Sequence, residues 1–259
     1  MADAFAPGTI WLIGAGPGDP DLLTRKAERL LAAADVVFYD ALVGPAILAL
    51  APGAELISVG KRSGRHSKDQ ATIDELIVQA ALAGRRVVRL KGGDPSIFGR
   101  SAEELAHGAR HGITVRICPG ITAASAAAAS AQTSLTLRGQ ARRLTLLTAH
   151  VRAGEPLDID WDTLSQRDAT LAIYMGRAAA PELARALIDA GRAPDTPVLV
   201  AVNVSLPDER LIRGRLDALP FLVRAIGRND PTLLLIGEAM AHGTPVASRA
   251  AEAPALEIC

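Results

Sequence analysis

The sequence predicts an α/β protein of two domains, each with a mostly parallel or mixed sheet, and three observations carry that expectation. Short apolar runs alternate with stretches of helical periodicity. In the first half each run breaks at its end into glycine or polar turn residues, the pattern of strand, turn and helix repeated along a parallel sheet covered on both faces. Across 132–140 the pattern loosens into a polar stretch containing threonine and serine, and a second set of apolar runs follows. The expected division is 1–131, 132–241 and a frayed tail over 242–259.

Ile10-Trp-Leu-Ile13 reads as a buried strand because an unbroken apolar run is bounded by the turn Gly14-Ala-Gly-Pro-Gly-Asp-Pro20, and residues 21–31 read as an amphipathic helix. Residues 35–40 form a second strand ending in Asp40, and 55–59 a third. Ile73, Leu76, Ile77 and Ala80 stand at helical spacing within a helix over 69–82 capped by Asp69. A fourth strand over 86–90 runs into Lys91-Gly-Gly-Asp-Pro95, followed by residues 96–100 and a helix through His107. A fifth, over 114–118, runs into Pro119-Gly-Ile-Thr122, and the alanine-rich 123–131 is a close-packed helix opened by Thr122. In the second half, strands are expected at 143–148, 170–175, 198–202, 209–214 and 232–236, with a helix over 181–190. Residues 151–166 read as a surface insertion with a short helix.

Lys+Arg and Asp+Glu are equal at 28 each, so no basic field points to nucleic acid. Cys118 and Cys259 form neither a C-x-x-C pair nor a metal-ligand spacing, so a reduced, cytoplasmic protein without a metal is expected. The first residues lack the basic start and apolar run of a signal peptide. No run reaches the roughly 20 apolar residues that cross a bilayer, so no membrane partner is expected.

In an open parallel sheet the carboxyl ends of the strands share one edge, so the turns at 14–20, 40–43, 60–67, 91–100 and 119–122 converge on one crevice. Gly14-Ala15-Gly16 begins a dinucleotide fingerprint, but Asp19 stands where the last glycine belongs. Pro17 and Pro20 also lack the N–H groups that would hold a pyrophosphate. An acidic, donor-poor turn suits a nucleoside without phosphates, such as S-adenosylmethionine; the bland alternative is a tight turn with no ligand. The basic run Gly60-Lys-Arg-Ser-Gly-Arg-His-Ser-Lys68 is either a solvated loop or a rim that collects a polyanionic substrate. Asp40 is a loop acid or a proton acceptor, Asp94 a turn former or a ribose contact, His66 a polar loop residue or a substrate donor. Thr122 is most simply a helix cap.

Taken together, Gly14-Ala-Gly-Pro-Gly-Asp-Pro20, Tyr39-Asp40-Ala-Leu-Val43, Val59-Gly-Lys-Arg-Ser-Gly-Arg-His66 with Gln70, Arg89-Leu-Lys-Gly-Gly-Asp-Pro95, Phe98-Gly-Arg100 and Pro119-Gly-Ile-Thr122 closely resemble the uroporphyrinogen-III C-methyltransferases, over about residues 8–241. The resemblance implies two α/β domains with S-adenosylmethionine folded into the cleft between them. It also implies conversion of uroporphyrinogen III to precorrin-2 by two methylations, feeding siroheme or cobalamin synthesis. Pro17, Gly92, Gly93, Asp94, Ile97, Thr122, Ala123 and Met175 match the family's cofactor contacts, and Val204 falls where relatives often carry glycine or alanine. Asp40 matches the family's proposed proton acceptor and Lys61 its proposed proton donor. Arg62, Arg65, His66, Gln70 and Arg100 are the substrate-binding candidates. Against the family pattern, Ser101-Ala102 replaces a pair of glycines, Ser96 an aromatic residue, and 203–206 reads Asn-Val-Ser-Leu.

Two other classes compete. A nicotinamide oxidoreductase would place the first turn on a pyrophosphate and Asp40 on a ribose, but Asp19 opposes it. A noncatalytic tetrapyrrole-binding module keeps the basic loop and leaves the convergent glycine turns without a role. A homodimer is expected through the region after residue 130, where Leu135, Leu137 and the aliphatic strands exceed what the expected helices cover.

Overall fold

The computed structural model describes residues 5–60, 70–149, 159–226 and 230–242. β1 (Ile10–Gly14) is buried at every position, as a central strand covered on both faces must be. The stretch after Pro20 is not one helix. A single 3₁₀ turn, Pro20–Leu22, is capped by Asp19, whose Oδ1 accepts from the Asp21 amide at 2.9 Å. The chain then extends to Thr24, whose Oγ1 accepts from the Ala27 amide at 3.1 Å and starts α1 (Arg25–Ala32). Two capping side chains five residues apart thus divide what apolar periodicity alone joins.

β2 (Val36–Tyr39), α2 (Pro45–Leu48), β3 (Glu55–Ser58), α3 (Gln70–Leu82), β4 (Val87–Lys91), α4 (Ser101–Arg110) and β5 (Val115–Cys118) complete the first unit. Asp69, the expected cap of α3, lies outside the described residues. The sheet order is β3-β2-β4-β1-β5, parallel throughout. Alternation along the strands divides the core: Trp11, Ile13, Val37, Val88 and Leu90 pack on one face, Ile10, Leu12, Val36, Phe38 and Val87 on the other. α4 begins after residues 96–100, as expected, and runs three residues past His107. Asp94 Oδ1 accepts from the Ser96 amide at 2.7 Å, and Phe98 and Arg100 adopt left-handed φ of 53° and 57°, so 96–100 is a turn.

α5 (Ala123–Ser130) leads to β6 (Arg143–Thr148), α6 (Trp161–Ser165), β7 (Ala169–Tyr174), α7 (Ala180–Asp189), β8 (Pro197–Val202), β9 (Arg210–Arg215), α8 (Leu219–Arg224) and β10 (Thr232–Ile236). This second sheet has the order β6-β7-β10-β8-β9, with β6 and β7 parallel and the remaining pairs antiparallel. Its outer face packs Leu171, Ile173, Val200 and Leu234 against α7 and α8. The other face packs Ala172, Leu199, Ala201 and Leu235 against Ala124, Ala127 and Ala131. Alanine there lets α5, which follows β5 in sequence, lie close on the second sheet.

The ends of β1, β4 and β5 meet backbone to backbone. A Cβ built on Gly14 would fall 2.6 Å from Gly120 Cα and from the Gly93 carbonyl oxygen, too near for either to yield. Gly14→Ala is therefore expected to lower the unfolding free energy by about 1–3 kcal/mol through overpacking, read by denaturant titration. An unchanged midpoint would mean that the three turns have room to part.

Candidate active site

A cavity of about 940 Å³ opens where these turns face the second sheet. One side is built from the strand ends of the first sheet: Gly16 and Pro17 after β1, Asp40 and Leu42 after β2, residues 91–100 after β4, Thr122 and Ala123 after β5. Tyr174, Met175, Ala201, Asn203, Val204 and Leu206 supply the facing side. This is the crevice at strand carboxyl ends that a parallel sheet makes available.

Hydrogen bonds between turns fix that wall. Gly16 and Gly93, both at φ 69°, exchange amide and carbonyl bonds of 3.2 and 2.7 Å, a close pairing that side chains at either position would strain. Asp94 spans two turns: Oδ1 accepts from Ser96 and Oδ2 from the Gly120 amide at 2.9 Å. It is a turn former, and each carboxylate oxygen keeps a further lone pair for a ligand hydroxyl. Asp40 also shapes its own turn, its Oδ1 accepting from the Leu42 amide at 3.1 Å, while bordering the cavity.

All nine expected cofactor residues, Pro17, Gly92, Gly93, Asp94, Ile97, Thr122, Ala123, Met175 and Val204, lie in the wall of this one cavity. Asp40, Gln70 and Arg100 join them. Lys61, Arg62, Arg65 and His66 lie outside the described residues. Val204 is 7% exposed and belongs to the buried cluster of Leu199, Ala201 and Leu235 while also lining the cavity. Ser101 is buried and its hydroxyl donates to the Pro95 carbonyl, closing the turn where the family has glycine.

Thr122 departs from its expected role. It occupies the cap position of α5, but makes no side-chain capping bond. Its hydroxyl pairs with the hydroxyl of Tyr174, which also accepts from the Ala124 amide at 3.3 Å. A side chain from β7 therefore serves the amino end of α5 across the cleft. The Phe98 ring stands 5.2 Å from that of Tyr174, and the exposed apolar residues Leu42, Phe98 and Met175 all border the cavity. Such a cluster suits a large, partly apolar ligand.

Sequence reasoning missed a charged cluster under the same wall. Arg89, Lys91 and Glu104 are each 5% exposed. Both Glu104 oxygens accept from Lys91 Nζ at 2.8 Å, and Oε1 accepts from Arg89 Nε at 3.2 Å. Burial pushes the Lys91 ammonium below its ordinary pKa, and the Glu104 charge draws it back up. The available signal was the pair of cations two apart in an otherwise apolar strand, hence on one face. Arg100, by contrast, is half exposed and bonds Glu103 at 2.6 and 2.7 Å. Among the described residues one grouping of metal-ligand type occurs, Glu75 with His107 and His111, and none of the three lines the cavity.

Residues 9–220 match the family model of the tetrapyrrole (corrin/porphyrin) methylases. A uroporphyrinogen-III C-methyltransferase of Pseudomonas aeruginosa is 47% identical over 234 residues, covering 89% of this chain and 94% of that protein. A siroheme synthase of Gluconacetobacter diazotrophicus is 44% identical over 243 residues, 93% of this chain and 52% of its own length. The chain thus spans about half the length of the siroheme synthases it matches. Among solved structures, a cobalt precorrin-4 methyltransferase superposes with a TM-score of 0.80 at 32% identity, covering 90% of this chain and 96% of that one. A uroporphyrin-III C-methyl transferase from Thermus thermophilus, complexed with S-adenosylhomocysteine, superposes with 0.77 at 38% identity, covering 90% and 99%.

The Tyr174 hydroxyl is the testable joint between the two halves. Tyr174→Phe keeps the ring and removes both of its bonds, so a loss of about 1–2 kcal/mol of stability in urea denaturation is expected. A variant as stable as the parent would mean that water replaces the hydroxyl without cost.

Proposed function

The chain belongs to the tetrapyrrole (corrin/porphyrin) methylases, and from that premise we propose that it is an S-adenosylmethionine-dependent C-methyltransferase converting uroporphyrinogen III to precorrin-2 by two successive methylations. The observation that carries this reading is the single cavity in which the glycine turns and Asp94 stand opposite Met175 and Val204. Precorrin-2 would feed siroheme or cobalamin synthesis. Whatever further reactions the longer siroheme synthases perform are not assigned to this chain.

The wall fits the cofactor. Gly92 and Gly93 carry no side chains, so a nucleoside can lie against the backbone, and the spare lone pairs of Asp94 suit ribose hydroxyls. Pro17, Ile97, Thr122, Ala123, Met175 and Val204 would enclose it. When bound, S-adenosylmethionine supplies a methyl group activated on a sulfonium. The pyrrole carbons of the substrate are electron-rich, so the protein's share is to align the reactants, exclude water and take up the proton that the methylated ring releases. Asp40 would accept that proton, and Lys61 keeps the proton-donor role that the resemblance implies. Arg62, Arg65, His66, Gln70 and Arg100 would hold the substrate's carboxylates.

No helix among the described residues is long and apolar enough to cross a membrane, and a cytoplasmic enzyme without nucleic-acid partners fits the neutral charge balance. A symmetric homodimer through the region after residue 130 is part of the proposal, since β6 is an edge strand carrying the exposed Leu144.

Purified protein given labelled cofactor and enzymatically prepared uroporphyrinogen III should yield a dimethylated product; methylation only of a later corrinoid would overturn the substrate. Asp94→Ala should weaken S-adenosylhomocysteine binding at least about tenfold by calorimetry, because two turns lose their tie as well as the ligand its acceptor. Asp40→Asn should leave that affinity unchanged and cut kcat at least about tenfold, as loss of a general base does. Light scattering should return twice the chain mass, and the single-chain mass across a wide concentration range would refute the dimer.

A further inference from the structure

Two cations two residues apart on one face of β4 repel each other unless an acid lies between them, and α4 supplies one in Glu104. Ion pairs of this kind are an inefficient way to fill a core, since neutral residues of similar volume generally stabilise as well or better. Their position is what distinguishes them: Arg89, Lys91 and Gln70 all border the cavity, on the wall that also carries Asp40.

Place along the strand separates the two cations. Arg89 gives Nε to Glu104 and Nη1 to the Leu90 and Phe38 carbonyls at 3.0 and 3.5 Å and keeps Nη2, but it sits two residues back inside β4, whereas Lys91 ends the strand at the glycine turn. An ammonium has three hydrogens, and the two Glu104 oxygens account for two of those on Lys91. The third is left for the cavity. Gln70 closes the other side of the acid, its Nε2 lying 3.5 Å from Glu104 Oε1 and donating to Asp74 Oδ1 at 2.7 Å, so Glu104, on α4, is met from both β4 and α3.

We propose that Lys91 binds a carboxylate arm of the substrate and that Glu104 is its positioning residue, fixing the ammonium on the cavity wall. The proposal rests on the reading of the substrate as a polycarboxylate tetrapyrrole. A carboxylate seated on Lys91 lays the ring it hangs from along the wall that carries Asp40, which sets the register of the reacting carbon. Lys91 therefore governs substrate affinity and orientation, whereas Gly92, Gly93 and Asp94, next along the same turn, face the cofactor.

Three variants test this: Lys91→Met, Glu104→Gln and the two combined. Each is measured for thermal midpoint, S-adenosylhomocysteine affinity, KM for uroporphyrinogen III, and binding of uroporphyrin by fluorescence, which requires no turnover. Lys91→Met leaves Glu104 paired with Arg89 and should keep a midpoint within a few degrees of the parent, whereas Glu104→Gln strands both buried cations and the double variant strands Arg89, so both should melt lower. Substrate KM and uroporphyrin Kd should nevertheless rise at least about tenfold in Lys91→Met, with cofactor affinity within about twofold of the parent, and the double variant should bind substrate no more weakly than Lys91→Met, since Glu104 acts through the lysine. Glu104→Asp, which keeps the counter-charge, should recover most of the substrate affinity. Parent-like substrate affinity in Lys91→Met would overturn the proposal, because the cluster would then be structural alone. An equal loss of cofactor affinity would overturn it too, assigning Lys91 to the cofactor. If the parent protein methylates a different tetrapyrrole, the uroporphyrin arm still decides the carboxylate role.

Discussion

The approach of three backbone turns to within contact distance governs the rest of this molecule. Gly14, Gly93 and Gly120 stand at the ends of neighbouring parallel strands, and none of them has space for a Cβ toward the others except Gly93, which needs its freedom for a φ of 69°. Because the tips touch, Asp94 reaches the Gly120 amide and Gly16 can exchange bonds with Gly93. The wall of the crevice is consequently made of fixed backbone, which presents carbonyls and amides to a ligand without paying side-chain entropy.

The second sheet completes the crevice, and its attachment is polar at the rim and alanine-lined at the centre. Asp19 donates its amide to Ser205 Oγ at 3.0 Å, Ser205 donates its own to Glu209 at 2.7 Å, and Ser130 donates to the same carboxylate at 3.1 Å. Arg213 reaches the Ala131 carbonyl at 2.9 Å and that of Met240 at 2.7 Å. Between these ties, α5 rests on the sheet through alanines, so the two halves meet through one helix that both contact. Of the six left-handed non-glycine residues among those described, four, Phe98, Arg100, Met175 and Asn203, border the cavity. Conformations of that cost persist where neighbouring contacts over-determine the backbone, as the contacts around this cavity do.

Much of this was legible in the sequence, because apolar runs and glycine turns are local signals. The strand positions, the parallel first sheet and the convergence of the turns all follow from where Ile10-Trp-Leu-Ile13 and its counterparts stop. What was not legible depends on partners far apart in the chain. Periodicity joins residues 21–31 into one helix, while Asp19 and Thr24 cap separate segments. Thr122 has the composition of a cap, yet a tyrosine 52 residues away takes its hydroxyl. The burial of Glu104 is invisible beside the exposed Glu103, since adjacent acids on a helix give no sign of which one faces a strand.

The buried cations illustrate how such a charge is to be read. Arg192 is 1% exposed in the second unit, where burial lowers its pKa and Nη1 and Nη2 donate to the Leu164 and Ala169 carbonyls at 2.7 and 2.8 Å. There two arms of the planar fork tie the end of α6 to the start of β7, away from the cavity, while its Nε is buried without a partner. Lys91 is held by a full carboxylate, at the one place where β4 leaves the sheet and enters the crevice. Both ions carry a desolvation cost that an apolar residue would avoid. In Arg192 the two carbonyls it joins offset part of that cost within the fold, and the donor left over is enclosed away from the cavity. In Lys91 the fold supplies a counter-ion but leaves one donor over, and a donor left at a cavity wall is explained by what enters the cavity.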